Sequence, residues 1–279
     1  MITEQEIKNL KENGGFNKSN EPNKKNITIL GKGDSWFDYP VGIDILDYLN
    51  GHFNYNVLKH GKAGDKLLNM IYGNDMLKDI PKLAYRNNLN IIQNLIKDNN
   101  VDVLLLSGGG NDLAVGQLEV FLEFNADNYK EIENPIESQL NIFLKRLQIA
   151  IKIIIDKVIS VKPNIKILMH SYGYPDVSGK GVLEILGHSN WLNGLGPWLK
   201  PAFDSRNISH EDANIIMKVI MDMYSDKLIE LQNKFPDNFY FVDLRKIIEL
   251  KDWTNELHLN NETYLKVSTE FHNKIQEVI

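Results

Sequence analysis

The sequence predicts an α/β protein, a three-layer α/β/α sandwich around a five-stranded parallel sheet, and two observations carry that expectation. Five short, nearly continuous apolar runs, at 27–30, 55–58, 101–106, 165–170 and 239–242, have the composition of strands buried on both faces. Between them lie stretches in which apolar residues recur with helical spacing, at 43–49, 66–72, 83–97, 136–160, 211–234 and 263–278. Strands alternating with helices imply right-handed crossovers and helices on both faces of the sheet. In such sheets reactive groups gather beyond the carboxyl ends of the strands. The residues that follow each strand are therefore the place to look for chemistry.

The boundaries follow from composition. Residues 1–25 include KENGGFNKSNEPNKK, a polar, unpatterned stretch that reads as an N-terminal lead-in. Residues 26–279 read as one domain, since 279 residues can bury one full core. A glycine- and proline-rich segment at about 171–207, ending in WLNGLGPWLKP, breaks the strand–helix rhythm and reads as a loop or cap over the site.

A net charge of −6 argues against a nucleic-acid partner, because phosphate contacts need a concentrated basic surface. There are no cysteines, which removes disulfides, thiolate nucleophiles and Cys-based zinc sites. The start, MITEQEIKNLKENGG, lacks an apolar signal-peptide core, and no stretch has the length of a membrane span. A cytoplasmic protein is the expectation.

Four post-strand segments carry polar or glycine-rich patterns. Gly31-Lys32-Gly33-Asp34-Ser35-Trp36 follows the first strand and places a serine at a strand-to-helix junction, near the positive end of a helix. Read alone, Asp34-Ser35 suits a helix cap, and Trp36 stands where a dinucleotide-binding GxGxxG needs its last glycine. After the second strand, Gly64 in His60-Gly61-Lys62-Ala63-Gly64-Asp65 lets backbone approach a ligand closely. Ser107-Gly108-Gly109-Gly110-Asn111-Asp112 follows the third strand and ends in a side-chain amide that can donate. His258 lies in Trp253-Thr254-Asn255-Glu256-Leu257-His258, ahead of the last helix. Each segment alone is an ordinary turn; the tips of four strands of one sheet can converge to supply nucleophile, base and oxyanion donors.

Taken in order, these residues resemble the SGNH hydrolases, the GDSL lipase/esterase family, whose four blocks carry Ser, Gly, Asn and His. Gly33-Asp34-Ser35 matches the first block with Trp36 in place of the usual leucine, and Gly64 matches the second. Gly109-Gly110-Asn111-Asp112 matches the G-x-N-D of the third, and Asn255 to His258 matches the D-x-x-H of the last except at its first residue. The resemblance implies the flavodoxin-like SGNH fold and an esterase or lipase that needs no cofactor. It further implies Ser35 as nucleophile, His258 as base, and Ser35, Gly64 and Asn111 as oxyanion donors.

The departure is Asn255, which stands where the family has its acid. An amide can orient the imidazole but brings no charge; in serine proteases the same exchange costs roughly 10⁴ in kcat. Asn255 itself, a backbone carbonyl, Glu256 and Asp252 are all candidates to orient His258. The expected substrate is a small-molecule or lipid acyl ester, with Trp36 and the cap residues Trp191 and Trp198 as candidate contacts. Two other readings stay open: an acyltransferase using the same acyl-enzyme, and a ligand-binding protein weakened in turnover by Asn255.

Overall fold

The computed structural model describes residues 25–72, 88–114, 116–122, 135–182 and 196–279. Five strands, β1 (Thr28–Lys32), β2 (Asn56–Lys59), β3 (Val103–Leu106), β4 (Lys166–His170) and β5 (Phe239–Val242), form one sheet in the order β2-β1-β3-β4-β5, and every pair is parallel. All four residues of β3 are buried, as expected of a central strand covered on both faces. Edge strand β2 exposes Asn56 and Lys59, polar ends that discourage pairing with another sheet.

Helices α1 (Ile45–Gly51) and α9 (Asn261–Val278) pack together, while α2 (Leu67–Tyr72), α3 (Asn88–Asp98), α6 (Pro135–Ile159) and α8 (His210–Lys234) pack among themselves. Handedness explains the two groups. The chain moves outward from β1 to β2, then reverses past β1 to β3, and a right-handed crossover changes face when its direction changes. The reversal leaves a crevice between the carboxyl ends of β1 and β3, the switch point where ligands of such sheets bind.

Three short helices escape the periodicity reading: α4 (Gly110–Leu113), α5 (Gln117–Phe121) and α7 (Lys200–Asp204), each too short to show a repeat. The lead-in up to residue 24, positions 83–87 of the third expected helix, and Trp191 lie outside the described residues. The expected cap carries residues 171–181 as irregular loop and 200–204 as α7. Among the described residues no helix is long and apolar enough to cross a membrane.

Candidate active site

Beyond β1 the chain turns at once, with Phe37 N donating to Asp34 O at 3.0 Å, so Ser35 sits at the corner of a tight turn. Helix α1 starts at Ile45, two residues beyond the expected 43, and its first N–H reaches Trp36 O at 3.3 Å. The buried Asp34 carboxylate holds the turn from below. It accepts from Trp36 N at 3.0 Å, Ser107 Oγ at 2.8 Å and the Tyr172 hydroxyl, while burial pushes its pKa up.

Ser107 also meets His170 Nε2 at 2.9 Å, and the His170 ring stacks on Trp36 with centroids 4.9 Å apart. His170 reads from sequence as a rim residue. As the last residue of β4 it is instead wholly buried, with its pKa lowered to about 4 by desolvation. This second Ser–His contact belongs to the core, and its role is to support the turn that carries Ser35.

The other half of the site comes from the loop between β5 and α9. Trp253 and Leu259 form an antiparallel bridge, and Thr254 N and Oγ1 both donate to His258 O, at 2.9 and 3.0 Å. The closed loop presents Asn255 to His258 at its tip. His258 Nε2 lies 2.9 Å from Ser35 Oγ, and His258 Nδ1 lies 3.0 Å from Asn255 Oδ1. That oxygen also accepts the Leu257 and His258 backbone N–H groups, each at 2.9 Å.

The amide therefore occupies the orienting position, and the contact assigns the Nδ1 proton, leaving Nε2 as the acceptor toward Ser35. His258 is only 5% exposed, and burial lowers its pKa to about 3. Trp36 Nε1 donates to Leu257 O at 2.9 Å and ties the serine turn to the histidine loop.

Glu256 does not orient the imidazole. It is fully buried and turned toward the cap, where its carboxylate accepts from four backbone N–H groups: Gly179 at 3.0 Å, Lys200 at 2.9 Å, Leu199 at 2.7 Å and Trp198. Asp252 is likewise engaged with Glu249 N, at 2.9 Å. Glu256→Ala should lower unfolding stability by about 3 kcal/mol, because four backbone donors, one buried and three partly buried, lose a charged acceptor. A denaturant midpoint equal to wild type would contradict that assignment.

The segments expected to supply oxyanion donors converge as well. The 60–65 segment runs beside the end of β1, with Lys62 N donating to Gly33 O at 2.9 Å. Gly64 adopts φ +75°, a conformation that a side chain would strain. Asn111 Nδ2 donates to Asp65 O at 3.0 Å, and Asp112 Oδ2 accepts Leu67 N at 2.8 Å, so the glycine and asparagine blocks are stitched together. An ion pair between Lys32 and Asp65, 2.7 Å long and almost fully buried, fixes the same loop and has no signature in the motifs. An amide has two N–H bonds, so Asn111 keeps one for a ligand.

In front of Ser35 opens a cleft of about 460 Å³ counting its mouth, walled by Trp36, Leu113, Tyr172, Leu199, Met217 and Met221. Trp36 lines it, although the ring is only 2% exposed and is held mainly by its neighbours. Trp198 stands edge-on to His258, centroids 5.7 Å apart, and packs on that imidazole rather than along the cleft. Among the described residues no group of three or more His, Cys, Asp or Glu side chains is placed to hold a metal ion.

No family model and no curated protein sequence matches the chain. Solved structures do. A carbohydrate acetylesterase from Sinorhizobium meliloti is 12% identical with a TM-score of 0.50, over 91% of this chain and 100% of that one. A protein from Bacteroides ovatus described as a GDSL-like lipase is 11% identical with a TM-score of 0.51, over 92% of this chain and 55% of that one. The likeness is one of fold: the chain has the SGNH hydrolase fold.

Proposed function

We propose that the chain is a serine hydrolase of acyl esters that works through an acyl-enzyme on Ser35. The observation that carries this reading is the continuous line from Ser35 Oγ to His258 Nε2, 2.9 Å, and from His258 Nδ1 to Asn255 Oδ1, 3.0 Å, opening onto an apolar cleft. Neutral His258 takes the Ser35 proton as Oγ attacks the acyl carbon, and the carbonyl π electrons move onto oxygen. The Ser35 and Gly64 backbone N–H groups and Asn111 Nδ2 stabilise that oxyanion. Collapse expels the alcohol, which takes the proton from His258. Water, deprotonated by the same ring, then attacks the acyl carbon, and collapse releases the acid as Ser35 Oγ takes the proton back from His258.

The apolar walls favour a small or medium acyl chain in the cleft. Incubation with p-nitrophenyl esters of increasing chain length, alongside a fluorophosphonate probe, tests the reading. Turnover and labelling at Ser35 are expected. A protein that does neither is a binding protein, the reading that the uncharged Asn255 favours. Product analysis with a competing alcohol or sugar separates hydrolysis from acyl transfer.

The buried imidazole, whose orienting partner is a neutral amide, sets a pH expectation. Because desolvation lowers the His258 pKa to about 3, the ring stays neutral and able to accept a proton well below the usual histidine range. The acid limb of kcat/KM should therefore lie far below pH 6.5, the unperturbed value. Asn255→Asp adds a charge at Nδ1, favours the imidazolium and should move that limb upward, with activity at neutral pH equal or up to about tenfold higher. A collapse of activity, or an unmoved limb, would contradict the orienting role of residue 255.

A further inference from the structure

In the mechanism above, the imidazolium of His258 forms in a buried site whose orienting group is neutral. Some other group must face that charge. The Tyr39 ring lies nearly parallel to the imidazole, with centroids 4.4 Å apart and an interplanar angle of 19°. It is 4% exposed and held in place: Tyr39 N donates to Asp44 Oδ2 at 3.3 Å, its ring packs on Tyr264 with centroids 6.0 Å apart, and its hydroxyl faces Thr254 and Asn255. A cation within about 6 Å of an aromatic face is attracted by the ring quadrupole, and desolvation strengthens the effect. The stack thus offers the transient cation a fixed negative face. It costs little in the ground state, where the imidazole is neutral.

We propose that Tyr39 is a positioning residue that acts through His258, its π face stabilising the imidazolium in place of the charge that Asn255 does not carry. The inference rests on the ester-hydrolase reading and adds a residue outside the four sequence blocks. The ring is specific to the charged state, so its contribution belongs in kcat rather than KM. It should also shrink once a carboxylate supplies the charge.

The experiment is a cycle of kcat and KM on one p-nitrophenyl ester, with Tyr39→Phe and Tyr39→Leu each made alone and together with Asn255→Asp. Tyr39→Leu is expected to lower kcat about tenfold at unchanged KM, and Tyr39→Phe, which keeps the face, to lose no more than about threefold. With Asn255→Asp present, the Tyr39→Leu loss should fall below about threefold. Equal losses for Phe and Leu, or the same Leu loss with and without Asn255→Asp, would overturn the proposal. Should Tyr39→Leu fail to fold, pentafluorophenylalanine at position 39 keeps the shape and reverses the quadrupole; kcat then drops about tenfold relative to Tyr39→Phe if the proposal holds and matches it if not. The two levels of inference fail differently: a wild-type protein without turnover or Ser35 labelling removes the hydrolase reading itself, whereas an active enzyme insensitive to the ring at 39 removes only the role of Tyr39.

Discussion

Ser35→Ala and His258→Ala should each cut ester turnover by about 10³-fold or more, Ser35→Ala with the thermal unfolding midpoint nearly unchanged and His258→Ala with a lowered one, since its buried ring packs on Tyr39 and Trp198. Removing the hydroxyl deletes the oxygen that lies 2.9 Å from His258 Nε2 and would form the acyl bond, and removing the imidazole deletes the ring nitrogen hydrogen-bonded to it. In serine proteases, loss of nucleophile or base alone costs about as much as loss of the whole catalytic set, because the members act as one unit. The double substitution should therefore be no worse than either single one. Steady-state kinetics with active-site titration decides the matter. Substantial residual turnover in Ser35→Ala, with fluorophosphonate label appearing on another serine, would move the chemistry elsewhere. Ser107 is the natural suspect, given its contact with His170, but both are fully buried.

The second large effect is expected at Asn111. Its side-chain amide is anchored through one bond to Asp65 O at 3.0 Å, which leaves the other N–H aimed by the backbone rather than free to rotate away. Preorganised donors of this kind are worth about 10²-fold in kcat, and they act on charge that exists only in the transition state. Asn111→Ala should accordingly lower kcat by about 10²-fold and change KM by less than about threefold. A rise in KM with kcat intact would mean that Asn111 binds the ground-state ester instead.

Much of this site could be read from the chain because its parts obey local rules. The strands were visible because burial on both faces forces unbroken apolar runs, as in Val103–Leu106. Ser35, Gly64, Asn111 and His258 were visible because each follows a strand in a fixed order, and Asn255 because its spacing from His258 is local. What escaped depends on contacts across the fold. The spacing of Tyr39 from Ser35 says nothing of a ring laid on His258, since the turn at 34–37 and the Asp44 contact set its direction. Glu256 looked like a partner for the imidazole, being two residues away. In the folded chain its side chain points to the opposite side of the loop, drawn by four N–H groups that come from residues 179–200. The place of His170 at the end of a strand suggests the rim, but β4 ends under Trp36 and Tyr172 rather than at the surface.

The distance along the chain between the two proposed reacting partners has a practical meaning. Ser35 and His258 are 223 residues apart, and the neighbouring tie from Trp36 to Leu257 spans 221. Neither segment alone holds the proposed centre, which exists only after β1 and the segment beyond β5 have been brought to one rim. Loss of turnover during denaturation should therefore track loss of the whole sheet, which makes a simple colorimetric assay a gauge of complete assembly.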